Sequence, residues 1–597
     1  MMVLHYLQFI IISICIKSFT VYIYIVYYTD VFWSTFSQDI KSEYDFIIVG
    51  SGTAGSVIAH RLATETNYTF IVVEAGGKGN VLFEIPVLGP LLHGSIYDWQ
   101  YETVPQDNAC YAFNHKKCKL FQGKIFGGSS KLNNMVHVRG NISHYVDWFH
   151  REYDHTFFQN QFKFIEETIL NLDEIQYQSE MTDAVLDAAK ELGYNELHSE
   201  FAHGFRRSIV SQTQGKRWSS SDNIDIIKHV VTNALVEKVL VKENIAYGVS
   251  LLKSSSKREV YAKKGVILSS GTYNTPKILQ LSGIGPSDLL KSFDIPVIAD
   301  LPVGKNLQDH VATGLDLILF NESLSINTIN MLNLLHAANY FINGKGPFTT
   351  PGCEVIGFLA TNGESPDLQF MVLPVGISSD KGSHFRNSLG INTTVWTNYF
   401  AETYDKHSAT ILPIVLHPKS KGEVLIQSRD PTNPPMIDPK YLSDKNDRVL
   451  LIKGLKLVKE FLETEAMKSL GASINEIPFP GCNDYEVFSD NYWECYIKQL
   501  TLTSYHPVGT CSMGFPYAKT SVVDTSFKVI GVNNLFVADG SVLPTLPSGN
   551  INAAIAMMAS VFFDINIVPN ISTKACRNIV CPKYDFIYEH IHKMCYL

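Results

Sequence analysis

An α/β fold, α+β when the whole chain is counted, is predicted by three features. These are an apolar run closed by G-x-G-x-x-G, a second apolar run closed by an acid, and a late apolar run, Leu535–Val537, that leads to Ala538-Asp539-Gly540. Phe46-Ile47-Ile48-Val49 is the unbroken apolar run that a strand buried on both faces requires. Gly50, Gly52 and Gly55 follow, with Thr53 and Ala54 at the start of a helix. In this spacing the first glycine makes the tight turn, the second lets a pyrophosphate approach the backbone, and the third lets helix and strand pack closely. The helix start then offers free N–H groups to phosphate. Phe70–Val73 is the second run, and it ends at Glu74, 24 residues after Gly50, where a ribose-binding acid belongs. Strand before, helix after and acid at that distance separate this motif from an ordinary glycine-rich turn, so a Rossmann-like dinucleotide-binding domain is expected.

The 597 residues, 45% apolar and 18% charged, hold material for a large core and more than one domain. A net charge of −9 without a basic cluster argues against a nucleic-acid partner, whose phosphates need a basic face. No C-x-x-C occurs, and no metal site is expected. Residues 1–37 read as a signal peptide or membrane anchor. Read as one span, they would place Lys17 near mid-bilayer at a cost of roughly 2.5–3.5 kcal/mol. Leu7–Ile16 fits the apolar core of a signal peptide, and Thr35-Phe36-Ser37 is the small-x-small candidate for cleavage. Secretion is the favoured reading; an anchor through residues 4–28 is the alternative and the only expected route to a membrane. N-x-S/T sequons at Asn67, Asn141, Asn321, Asn392 and Asn570 suit the secretory pathway. So do cysteines paired by proximity, Cys110 with Cys118 and Cys482 with Cys495, while Cys576, Cys581 and Cys595 lie in the tail.

Further along, Gly123–Gly140 carries Gly127-Gly128-Ser129-Ser130 before an amide-rich stretch that includes Asn133. A backbone free of side chains there can lie against a large planar group. Val236–Val241 and Ala246–Leu251 alternate like a hairpin, and Val266–Leu268 reads as a buried strand. Pro276 suits the first turn of a helix over Lys277–Ser282. From about Asn330 the pattern changes to irregular strands and helices. Arg448–Ala472 reads as one amphipathic helix, with Leu450, Leu451, Leu455, Leu457, Val458 and Leu462 inward. Leu535–Val537 is the returning strand, and Asn552–Val561 is the closing helix.

With these segments on the page, the chain resembles the glucose–methanol–choline (GMC) flavoprotein oxidoreductases, especially the secreted insect members of the glucose dehydrogenase type. The likeness runs from Tyr44 to about Asn566 and rests on GSGTAG, KIFGGSSKLNNMVHVRG, GTYNTPKILQLSGIGP, LPVGKNLQDH, HPVGTCSMG and FVADGSVLPTLPSGN. It implies a Rossmann-like FAD-binding domain of discontinuous segments plus a substrate domain on an antiparallel sheet with helices. The expected division is 44–325 for the main FAD-binding part, with interleaved substrate and lid segments, and 326–500 for the substrate domain. Residues 501–567 return to the FAD domain, and 568–597 form a cysteine-containing tail. An NAD enzyme would account for the first motif but not for the GGSS segment or the return.

The resemblance implies that FAD is held by Gly50, Gly52, Thr53, Ala54, Gly55, Glu74, Gly127, Gly128, Ser129, Asn133, Val236, Asp539 and Gly540. Some relatives tether FAD covalently through a histidine whose place here is taken by Leu132, so FAD is expected to be noncovalent. The reaction implied is oxidation of the CH–OH group of a sugar or other alcohol by hydride transfer to the flavin, with a quinone or dioxygen as the electron acceptor. His506, held extended by Pro507, matches the family's catalytic base and suits it chemically because imidazole takes a proton near neutral pH. Counting along DGSVLPTLPSGN puts the second site residue at Asn550, with Asn552 the competing choice. An ecdysteroid oxidase within the same family is one alternative; a secreted flavin-binding paralogue without turnover is another. Departures from the family pattern at Gln122, Asn134 and the NAAIAMMAS helix bear on substrate more than on fold.

Overall fold

The computed structural model describes residues 2–36, 40–197, 203–327, 331, 333–363 and 365–570. Strand β1, Glu43–Val49, lies between β2, Phe70–Val73, and the strand Ser256–Leu268, parallel to both. Its apolar run is buried on both faces; Ile47 and Ile48 are 0% exposed. Val230–Val231 extends the sheet beyond β2, and Leu535–Val537 pairs in parallel on the far side of 256–268. The strands 234–242, 245–253 and 256–268 form an antiparallel meander, so the expected hairpin gains a third strand. Between β1 and β2 runs helix α2, Thr53–Glu65. Two of the motif's glycines are required by packing. A Cβ on Gly50 (φ 99°) would lie 2.4 Å from the Ser269 carbonyl oxygen, and one on Gly55 would lie 2.0 Å from that of Gly50.

The second sheet has nine strands, ordered 472–474, 318–320, 407–415, 368–373, 355–359, 204–207 and 195–196, with 311–312 and 502–503 attached beside 407–415. It is antiparallel except for its last pair. The helix Lys445–Leu462 covers it, burying Leu451, Leu455, Val458 and Leu462, with Leu450 and Leu457 partly buried beside them. The single helix expected over 448–472 ends at Leu462, because Thr464 leaves helical geometry and caps a new helix, Glu465–Ser469, by accepting from Met467 N. The helix expected at 277–282 instead spans Gly271–Leu281 with Pro276 in its interior. Proline cannot donate to the carbonyl four residues back, that of Thr272, and the Thr510 hydroxyl donates to it instead at 2.7 Å.

The N-terminal segment is one helix, α1, Met2–Phe36. Phe19, Ile23 and Tyr27 pack against a cluster of Phe83, Leu92, Tyr97, Ile125 and Leu132, while Val21, Ile25 and Tyr28 face outward. Among the described residues no helix is long and apolar enough to cross a membrane. Disulfides join Cys110 to Cys118 and Cys482 to Cys495, the two expected pairs. The tail cysteines and the cleavage candidate at Ser37 lie outside the described residues.

Candidate active site

One chamber of about 700 Å³ runs from the ends of the first sheet to the face of the second. At one end it is lined by Gly50, Gly52, Thr53, Ala54, Glu74, Gly128, Ser129, Asn133, Val236, Asp539 and Gly540, and at the other by His506 and Asn550. Gly55 and Gly127, both expected at the cofactor, shape the loops behind the chamber rather than lining it. The amide of Gly127 donates to Ser51 Oγ at 3.3 Å, and a Cβ there would meet Ser221 Oγ at 2.6 Å.

The loops at the glycine-lined end are interlocked. Glu74 accepts from Ser51 N (3.0 Å), Ser51 Oγ (2.6 Å) and Gly76 N (2.8 Å), and its burial pushes the carboxyl above its ordinary range. Thr53 Oγ1 donates to Asn552 Oδ1 and lies 2.6 Å from Ser130 Oγ, tying the first glycine loop to the GGSS segment and the closing helix, Ile551–Asn566. Arg217, buried, donates through Nη1 to the carbonyls of Ser130 and Asn133 and to Asn133 Oδ1. Asp539 accepts from Gly271 N, Thr275 Oγ1 and Ser541, which fixes the start of the 271–281 helix.

At the other end two histidines meet. His310 Nε2 lies 3.0 Å from the Leu416 carbonyl oxygen, and His310 Nδ1 lies 2.9 Å from His506 Nδ1. Burial pushes the His310 ring well below the usual histidine range, and that of His506 down to about 3, so both are neutral. A carbonyl only accepts, so His310 carries its proton on Nε2 and presents a lone pair at Nδ1. His506 must therefore donate from Nδ1, which leaves the lone pair on its Nε2. Nε2 lies 3.2 Å from Asn550 Nδ2. The orientation of that amide is set in turn by Gln369, whose Nε2 donates to Asn550 Oδ1 at 2.9 Å.

The backbone is held equally firmly. His506 N donates to Asp309 Oδ1 at 2.9 Å, and Asp309 Oδ2 accepts from Tyr441 OH and Thr503 Oγ1. Tyr505, just before His506, adopts φ 59°, a left-handed turn that costs a non-glycine residue about 1 kcal/mol and persists here under these constraints. Asn552, the competing choice for the second site residue, is turned toward Thr53 and Ser130.

Comparison with known proteins shows the family. GMC oxidoreductase sequences match the chain over residues 44–312 and again over 418–559. Glucose dehydrogenase [FAD, quinone] of Drosophila melanogaster is 31% identical over 565 residues, covering 88% of this chain and 87% of its own. The chain is a GMC oxidoreductase. Ecdysone oxidase of Bombyx mori is 29% identical over 561 residues, covering 88% of this chain and 82% of its own. Alcohol dehydrogenase [acceptor] of Pseudomonas putida is 32% identical over 559 residues, covering 86% and 94%. Among solved structures, formate oxidase superposes with a TM-score of 0.77 at 22% identity over 89% of this chain and 99% of its own.

This GMC protein is thus an FAD-dependent oxidoreductase acting on CH–OH donors. Its residues fit the cofactor: the α2 N-terminus has no side-chain cap, so its first N–H groups are open to phosphate, and the chamber runs unbroken from Glu74 to His506. His310, Gln369, Asp309 and Arg217 were not singled out from sequence. For His310 the signal was present in LPVGKNLQDH, a segment read only for its family likeness.

Proposed function

We propose that His506 Nε2 takes the hydroxyl proton of an alcohol while Asn550 Nδ2 donates a hydrogen bond to the same oxygen. FAD, when bound, supplies the hydride acceptor. The observation that carries this reading is the relay Leu416 O, His310, His506, which turns the Nε2 lone pair toward the oriented Asn550 amide 3.2 Å away, a contact that an entering hydroxyl would replace. A hydroxyl entering there can donate to the ring and accept from the amide at once, and the amide contact strengthens as the oxygen becomes anionic. The oxidised product is the corresponding carbonyl compound, and a quinone or dioxygen collects the electrons afterwards.

The protein is further proposed to act outside the cytoplasm, as a secreted glycoprotein and not through an anchor at residues 4–28, since α1 is not apolar enough to cross a membrane. Two disulfides support secretion, together with the exposed sequon asparagines Asn67 and Asn321.

The test compares the rate of anaerobic flavin bleaching by an alcohol in Asn550→Ala and Asn552→Ala. Asn550→Ala is expected to lose about 10²–10³-fold, the usual effect of removing one donor to a developing oxyanion, with flavin content preserved. A larger loss in Asn552→Ala at full flavin content contradicts the assignment.

A further inference from the structure

We infer that the substrate is an alcohol whose body beyond the reacting hydroxyl is largely apolar, and not a sugar; this rests on the roles given above to His506 and Asn550. The strand 368–373 supplies the first argument. Its side chains alternate between the two faces of the sheet. Gln369 points to the face that holds Asn550, so Met371 and Leu373 lie on that same face, and both line the chamber. Leu412 stands directly opposite Met371 on the neighbouring strand and lines it too. Phe348 and Leu502 line the same chamber and add to its apolar wall.

The polar side chains at this end supply the second argument, because most are already engaged within the protein. Asp380 accepts from the backbone amides of Gly382 (2.8 Å), His384 (2.6 Å) and Phe385 (2.8 Å). His93 Nε2 is engaged with the Leu132 carbonyl at 3.0 Å, and its ring stacks on Phe121 with centroids 4.2 Å apart. The Thr503 hydroxyl donates to Asp309. The chamber is also lined by Asn134, Thr350, Ser379, Ser388, Tyr505 and Ser504, whose hydroxyl is buried without a partner. These groups are scattered around the chamber, while the sheet face reached from Asn550 offers Met371, Leu373 and Leu412. A hexose brings several more hydroxyls. Each one buried unpaired against the apolar wall weakens binding by roughly 5- to 150-fold, so a sugar is disfavoured. An apolar ring or chain would gain from the same wall.

The test uses the yellow holoenzyme under anaerobic conditions with two panels. One contains medium-chain primary alcohols, benzylic alcohols and a sterol; the other contains aldoses. Flavin bleaching gives kcat/KM, and the perturbation of the oxidised flavin spectrum on mixing with the corresponding deoxy compounds gives binding without turnover. The expected result is at least a hundredfold preference for an apolar alcohol in kcat/KM and saturable binding of its deoxy analogue. Met371→Gln at full flavin content should raise KM for that alcohol roughly tenfold, more than it lowers kcat, and Met371→Leu should restore it. Turnover of an aldose equal to or better than that of every apolar alcohol overturns the inference and leaves the roles of His506 and Asn550 standing. Bleaching by neither panel overturns both.

Discussion

Replacing His310 by phenylalanine tests the histidine relay in a way that a merely structural role would not reproduce. The ring keeps its volume, but His506 Nδ1–H loses its acceptor at 2.9 Å. A buried donor without a partner costs about 1–3 kcal/mol. His506 escapes this cost by moving its proton to Nε2, where a substrate oxygen could accept it, and the lone pair needed to take the hydroxyl proton is then lost. The tautomer balance therefore shifts by about 1–3 kcal/mol, and flavin bleaching should slow by roughly 5- to 150-fold in kcat with KM little changed. His310→Gln supplies the control. Its amide can donate to the Leu416 carbonyl and accept from His506 Nδ1, so it should recover most of the rate. Stopped-flow bleaching under anaerobic conditions reads both variants. Equal rates in His310→Phe and the unaltered protein would refute the relay, as would a His310→Gln variant no faster than His310→Phe.

Burial of His506 gives two further predictions, and the residue at the tether position gives a third. His506 titrates only near pH 3 in the fold, against about 6.5 when unfolded, so the base is free across pH 5–8 and the bleaching rate should be flat there; a limb at pH 6.5 would contradict it. Because the unfolded chain binds the proton first, the stability due to this neutral ring is complete above pH 6.5. It is lost toward pH 3 at up to about 1.4 kcal/mol per pH unit, which urea midpoints at pH 7 and 5 would register. The residue at the tether position is Leu132, buried and without a nucleophile, so acid precipitation should leave the yellow colour in the supernatant; a yellow pellet that survives washing would contradict noncovalent binding.

What the sequence made legible was local. The β1–α2–β2 unit follows from an apolar run and glycine spacing that the neighbouring backbone enforces, with Gly50 against Ser269 and Gly55 against Gly50. His506 and Asn550 were found through the family likeness, and the fold brings them together across 44 residues. The relay behind them was not legible, because His310 is 196 residues from His506 and nothing in its segment says which ring nitrogen faces which partner. Gln369 was hidden differently. In Leu368–Leu373 it is one polar residue in an apolar strand, and only the register with 355–359 and 407–415 shows that it faces Asn550. The interior Pro276 was misplaced because the group that satisfies the freed carbonyl, Thr510, lies 238 residues away from Thr272.

The most direct measurement of the central claim is flavin reduction in His506→Ala, by anaerobic stopped flow with the best alcohol of the panel. The account predicts an unaltered oxidised flavin spectrum and a bleaching rate lower by roughly 10²–10⁴-fold, the share of a positioned general base. Bleaching at the rate of the unaltered protein would contradict it.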